Sequence, residues 1–69
     1  MITHTIRDLR KQRNITQEEL AIALKVARQT IIAIEGYKYS PSLELALRIS
    51  RFFDLPVEKI FSLRSDEHV

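Results

Sequence analysis

Apolar positions in this chain recur at three- and four-residue spacings, in short runs separated by turn residues, which is the pattern of a small helical protein. Ile6 and Leu9 predict a first helix over about residues 6–13, ending near Asn14, a residue that tolerates left-handed backbone. Leu20, Ala21 and Leu24 predict a second over about 17–24. "TQEEL" opens it: Thr16 is a good N-cap, and Glu19 three residues on completes a capping box. Ile31 and Ile34 predict a third over about 28–35, starting at Ala27 or Arg28 and stopping at Gly36. Ser40-Pro41-Ser42 starts a fourth over about 42–53, with the proline near the first turn, where its missing N–H does no harm. "DLP" breaks it, and a short fifth follows over about 57–61. The fourth helix carries two apolar stripes: Leu43, Ala46, Leu47 and Phe53 on one, Leu45, Ile49 and Phe52 on the other. Leu55, Val57, Phe61 and Leu63 follow. This is more apolar surface than one core face requires, so either a small core uses all of it or part of it meets a second subunit.

Only Lys25, Val26 and Ala27 separate the second and third helices. Helices joined by so short a turn cross steeply, as in a helix-turn-helix, and the far side of the third helix is left exposed. On that side stand Arg28, Gln29, Ile32 and Ala33, at i, i+1, i+4 and i+5, with no acid among them. Arginine donates bidentately to guanine, glutamine pairs with adenine, and an aliphatic chain can touch a thymine methyl. A surface without acids also avoids repelling phosphates. Arg28 has the reach for either a guanine or the backbone. Ile32 stays open between a methyl contact, a partly covered surface residue and a core residue.

Sixty-nine residues suit one small domain, 1–69. With no cysteine, disulfides and thiolate metal sites are excluded. His4 and His68 lie near opposite ends and read as solvated or loosely packed rather than as a metal pair, so neither a metal nor a cofactor is expected. No Ser/His/Asp or paired-carboxylate constellation points to an enzyme. No apolar run approaches the roughly 20 residues of a membrane span, and the N-terminus lacks a signal pattern, so the expected location is cytoplasmic. The net charge of +2 is unevenly distributed. Residues 1–16 carry Arg7, Arg10, Lys11 and Arg13 against Asp8 alone, while residues 54–69 carry Asp54, Glu58, Asp66 and Glu67 against Lys59 and Arg64. A basic body with an acidic tail suits a polyanion partner, though weakly.

"ITQEELAIALKVARQTIIAIEGYKYSPSLELALRIS", with the lead-in "IRDLR" and the exit "DLPVEKIF", resembles the helix-turn-helix of the Cro/CI (XRE) family of regulators over roughly residues 5–61. The carriers are Thr16 to Ala21, Val26, Arg28 to Ile31, Ile34-Glu35 and Pro41 to Ala46. The short ends make the chain most similar to small stand-alone members of the cytolysin-repressor type. The resemblance implies an all-α, five-helix, lambda-repressor-like domain, with a small two-stranded antiparallel ribbon from the termini. It implies base contacts from Arg28, Gln29, Ile32 and Ala33, and backbone contacts from Gln17, Thr30, Lys38, Tyr39 and Ser40. It also implies a structural ion pair between Arg10 and Glu35, and a homodimer, for which Leu55, Val57, Phe61 and Leu63 are the candidate interface. The function implied is a sequence-specific repressor of a near-palindromic DNA operator, with no small-molecule ligand evident; the alternative is an antitoxin that binds DNA and a protein toxin. Two residues depart from the family pattern. Lys25 stands where the turn usually has glycine, so the turn is either strained or reshaped, and Ala27 stands where a hydroxyl usually caps the third helix.

Overall fold

The computed structural model describes residues 2–38 and 40–63. Five helices run in order: α1 (Ile6–Gln12), α2 (Gln17–Leu24), α3 (Arg28–Glu35), α4 (Leu43–Phe53) and α5 (Val57–Ile60). They are flanked by β1 (Ile2–His4) and β2 (Phe61–Leu63). The two strands pair antiparallel, Ile2 with Leu63, Thr3 with Ser62 and His4 with Phe61. The fold is thus an all-α five-helix domain with a short two-stranded ribbon. Of the two ends the sequence allows for the fifth helix, Ile60 or Phe61, the structure takes Ile60, and Phe61 opens β2 with extended backbone.

The core gathers Ile6, Leu20, Ala21, Leu24, Ile31, Ile34, Leu45, Ile49, Phe53 and Ile60, with Leu9, Ile15, Val26, Phe52, Leu55 and Phe61 packed around it. On α4 the stripes expected from the sequence are redrawn. Leu45, Ala46, Ile49 and Phe53 form the buried face, whereas Leu43 and Leu47 face solvent. The reason is helical geometry: Leu45, Ile49 and Phe53 are spaced i, i+4, i+8, and Leu43 lies two residues out of that phase.

Helices begin and end on identifiable local chemistry. At α2 the Thr16 hydroxyl accepts from the Glu19 N–H (3.0 Å) and the Glu19 carboxylate accepts from the Thr16 N–H (2.8 Å), the reciprocal capping box read from the sequence. At α4 the N-cap is Ser42, whose hydroxyl accepts from the Leu45 N–H (3.1 Å). Pro41 therefore precedes the cap instead of occupying the first turn.

The first four helices all end in the same chain reversal. In each, one residue takes positive φ, its N–H bonds a carbonyl three residues back, and the next N–H bonds one five back. The left-handed residues are Asn14, Lys25, Tyr37 and Asp54, with φ of 57°, 61°, 59° and 57°. The paired bonds run from Asn14 and Ile15 (3.0, 3.2 Å), Lys25 and Val26 (3.2, 3.0 Å), Tyr37 and Lys38 (3.0, 2.8 Å), and Asp54 and Leu55 (3.2, 3.1 Å). Lys25 thus accepts the left-handed geometry instead of reshaping the turn. Gly36, the expected stop of the third helix, keeps φ of −86° and leaves the left-handed position to Tyr37. A β-carbon at Gly36 would stand 3.2 Å from the Ile32 carbonyl oxygen, so close approach to α3 is what this glycine supplies.

Candidate nucleic-acid interface

α3 is seated by Ile31, Ile34 and Glu35, all buried. Its opposite side carries Arg28 and Gln29, both exposed, with Ala33 half-buried and Ile32 42% exposed. That exposure removes the core reading of Ile32. Arg28 is the first helical residue, directly after Ala27, which provides no side-chain cap; the Thr30 N–H bonds the Ala27 carbonyl instead (3.0 Å). Thr30 is half-buried, and Lys38 and Ser40 are exposed in the loop beyond α3. Tyr39, assigned to the same loop, lies outside the described residues.

Beneath this face is a buried polar knot centred on Glu35, which is only 4% exposed. Arg10 grips its carboxylate as a fork, Nε donating to Oε2 (2.8 Å) and Nη2 to Oε1 (3.1 Å), while Nη1 donates to the Ile15 carbonyl (3.0 Å). Gln17 Nε2 donates to Glu35 Oε1 (3.1 Å), and Arg7 Nε lies 3.6 Å from the same oxygen. Burial works to raise the Glu35 pKa. The hydrogen bonds from Arg10 and Gln17 and the charges of Arg10 and Arg7 outweigh it, and the carboxyl is held below its ordinary range. The Arg10–Glu35 pair therefore ties α1 to the end of α3. Gln17, expected at the DNA backbone, has one amide N–H engaged inward, which fixes the orientation of its side chain at the start of α2.

An open cleft of about 670 Å³ runs between the end of α1, the start of α2 and the start of α3, bringing Arg28 and Gln17 together with Lys11 and Asn14. Lys11 and Asn14 are not among the contact residues that the family resemblance implies. The i, i+4 spacing of Arg7 and Lys11 on α1 was the available signal for the first; Asn14 carried none beyond its turn chemistry. The ribbon supports the other end of α3. His4 stacks on Tyr37 (centroids 4.6 Å, 16° between planes), its Nε2 donates to the Ile34 carbonyl (2.9 Å), and the Tyr37 hydroxyl donates to the His4 carbonyl (3.2 Å). His4 is therefore a packed structural residue rather than a loosely held one, and Tyr37 meets the ribbon. Among the described residues no group of His, Cys, Asp or Glu could hold a metal ion, and no helix is long and apolar enough to cross a membrane.

Two helices at a three-residue turn, the second presenting an uncovered polar face, define a helix-turn-helix DNA-binding domain. The chain matches the helix-turn-helix family over residues 6–60 and belongs to it, within the XRE type of transcriptional regulators. It is 57% identical over 54 residues to an uncharacterised HTH-type transcriptional regulator of Methanocaldococcus jannaschii, covering 78% of this chain and 82% of that protein. It is 39% identical over 61 residues to the HTH-type regulator YgzD of Bacillus subtilis, covering 88% and 92%. It is also 36% identical over 62 residues to RstR, a cryptic phage CTXphi transcriptional repressor of Vibrio cholerae, covering 90% of this chain and 56% of RstR.

Proposed function

We propose that the chain is a sequence-specific transcriptional repressor that binds a near-palindromic DNA operator as a homodimer. The observation that carries this reading is the acid-free face of α3, exposed at Arg28, Gln29 and Ile32 while Ile31, Ile34 and Glu35 fix the helix from behind. Gln29 and Arg28 read base edges, Ile32 and Ala33 supply apolar contact, and Gln17, Thr30, Lys38, Tyr39 and Ser40 hold the backbone. The dimer forms through Leu55, Val57, Phe61 and Leu63. Leu55 and Phe61 already pack partly on the core, so Leu63, 66% exposed beside its strand partner Ile2, carries most of the uncovered apolar area there. Two-fold symmetry then sets the α3 helices about 34 Å apart, one turn of duplex.

The test separates reading from gripping. Operators are first selected from random duplex, and binding is then measured on operator and scrambled DNA at several salt concentrations. Gln29→Ala should weaken operator binding by about 1–3 kcal/mol and relax one position per half-site. Lys38→Ala should weaken both duplexes alike and lower the salt slope by about 1 per subunit. An unchanged specificity ratio for Gln29→Ala overturns the assignment of α3 as the reader.

A further inference from the structure

Away from the reading face, at the other end of α2, a depression of about 330 Å³ opens between the α2–α3 turn and α4. Its lining is Ala23, Leu24, Lys25, Arg48, Arg51 and Phe52, and it shares no residue with the cleft that holds Gln17 and Arg28. The floor is apolar and the rim holds three cations and no acid. Among the described residues neither Lys25 nor Arg51 has an acidic side chain within ion-pair distance. Glu44 takes Arg48 Nη2 (2.6 Å) but does not line the depression, nor does Asp54. Arg48 is further fixed by donating from Nη1 to the Leu24 carbonyl (3.2 Å), and a fourth cation, Arg13, lies 5.5 Å from the centroid of the Phe52 ring. Like charges gathered over a low-dielectric floor repel one another and focus positive potential into the opening. A pocket of this size and composition suits a small apolar body with its polar end fixed by a few convergent donors.

We propose that this depression is a binding site for a small organic anion, one ring or short aliphatic body bearing a carboxylate or phosphate. The apolar part lies on Leu24 and Phe52, and the head group meets Lys25, Arg48 and Arg51. An occupant bridges the left-handed turn residue Lys25 to α4 and so bears on how the α2–α3 unit is seated. That consequence for DNA binding rests on the proposed function; the binding does not.

The test uses the full chain without DNA. Phenyl phosphate and benzoate are titrated at millimolar concentration against backbone amide NMR shifts and Tm, with benzyl alcohol and inorganic phosphate as controls. Either organic anion should shift the amides of Ala23, Leu24, Lys25 and Phe52 saturably and raise Tm, and neither control should do so. Arg51→Gln should weaken that binding by about two- to fivefold, the range of an exposed charge pair, and leave operator affinity unchanged. Equal shifts from inorganic phosphate or from benzyl alcohol overturn the proposal, as do no shifts at all or an unaltered titration in Arg51→Gln. A lowered DNA salt slope in Arg51→Gln also overturns it, since the cations then belong to the DNA interface.

Discussion

Replacing Glu35 with glutamine removes one charge from a knot in which every other member is a donor. Glu35 accepts two hydrogen bonds from Arg10 and one from Gln17, and the Arg10 side chain is 12% exposed. A hydrogen bond to a charged group contributes about 1.5–3 kcal/mol against about 0.5–1.5 for a neutral one. The amide also presents an NH₂ where only an acceptor fits, so Glu35→Gln should cost about 2 kcal/mol. Glu35→Ala, which strands the guanidinium, should cost about 3–5 kcal/mol. A domain of this size has only about 3–10 kcal/mol in total, so the glutamine variant is the one that stays measurable. At roughly 4–8 °C per kcal/mol, its Tm should fall by about 8–16 °C, read by circular dichroism at pH 7. The deficit should also depend on pH. Because the folded-state pKa of Glu35 is lowered, its contribution is complete above the ordinary carboxylate pKa, and it is lost as pH falls through the lowered value. The gap between the two proteins should therefore close at acidic pH. A loss under about 0.5 kcal/mol at pH 7, or a gap that does not change with pH, refutes the reasoning. The double variant Arg10→Met/Glu35→Leu should recover much of the stability, because apolar side chains of similar volume need no partners.

Lys25→Gly should stabilise the fold by about 1 kcal/mol in urea titration by relieving the left-handed residue; Tyr37→Gly should show no such gain, since it also loses the His4 stack and the hydroxyl bond. Thr16→Ala breaks the capping box and should cost about 1–2 kcal/mol in the same titration. Leu63→Asp should convert a dimer into a monomer in sedimentation at tens of micromolar while circular dichroism stays unchanged, and a wild-type monomer under those conditions removes the dimer from the proposal.

What is legible in the sequence is what depends on neighbours along the chain. The Thr16–Glu19 box spans three residues, the Leu20/Leu24 spacing is one helical turn, and the three residues before Arg28 force the steep crossing that exposes its face. What is not legible there depends on distant partners. Leu43 and Leu47 look as buried as Leu45 until α4 docks and selects one arc of its surface. His4 looked like a terminal residue because its partners, the Ile34 carbonyl and the Tyr37 ring, come from the far side of the chain. Gly36 does stop α3, as its sequence position implies, but the left-handed residue is Tyr37, and the glycine serves the close approach of the Ile32 carbonyl, which no local pattern reports. The bond from Gln17 to Glu35 crosses 18 positions, and no local pattern reports it.

The four matching chain reversals carry a division of labour in the residue that follows each left-handed one. After α1, α2 and α4 that residue is Ile15, Val26 or Leu55, and each folds back onto the core. After α3 it is Lys38, exposed, though its N–H makes the same bond to the same relative carbonyl. The backbone closes the helix whatever the side chain, so the loop after α3 is released from the core without leaving α3 frayed. Exposed positions 28, 29 and 38 can thus be exchanged with little effect on packing, and under the proposed function a lineage can retarget such a domain without first having to restabilise it.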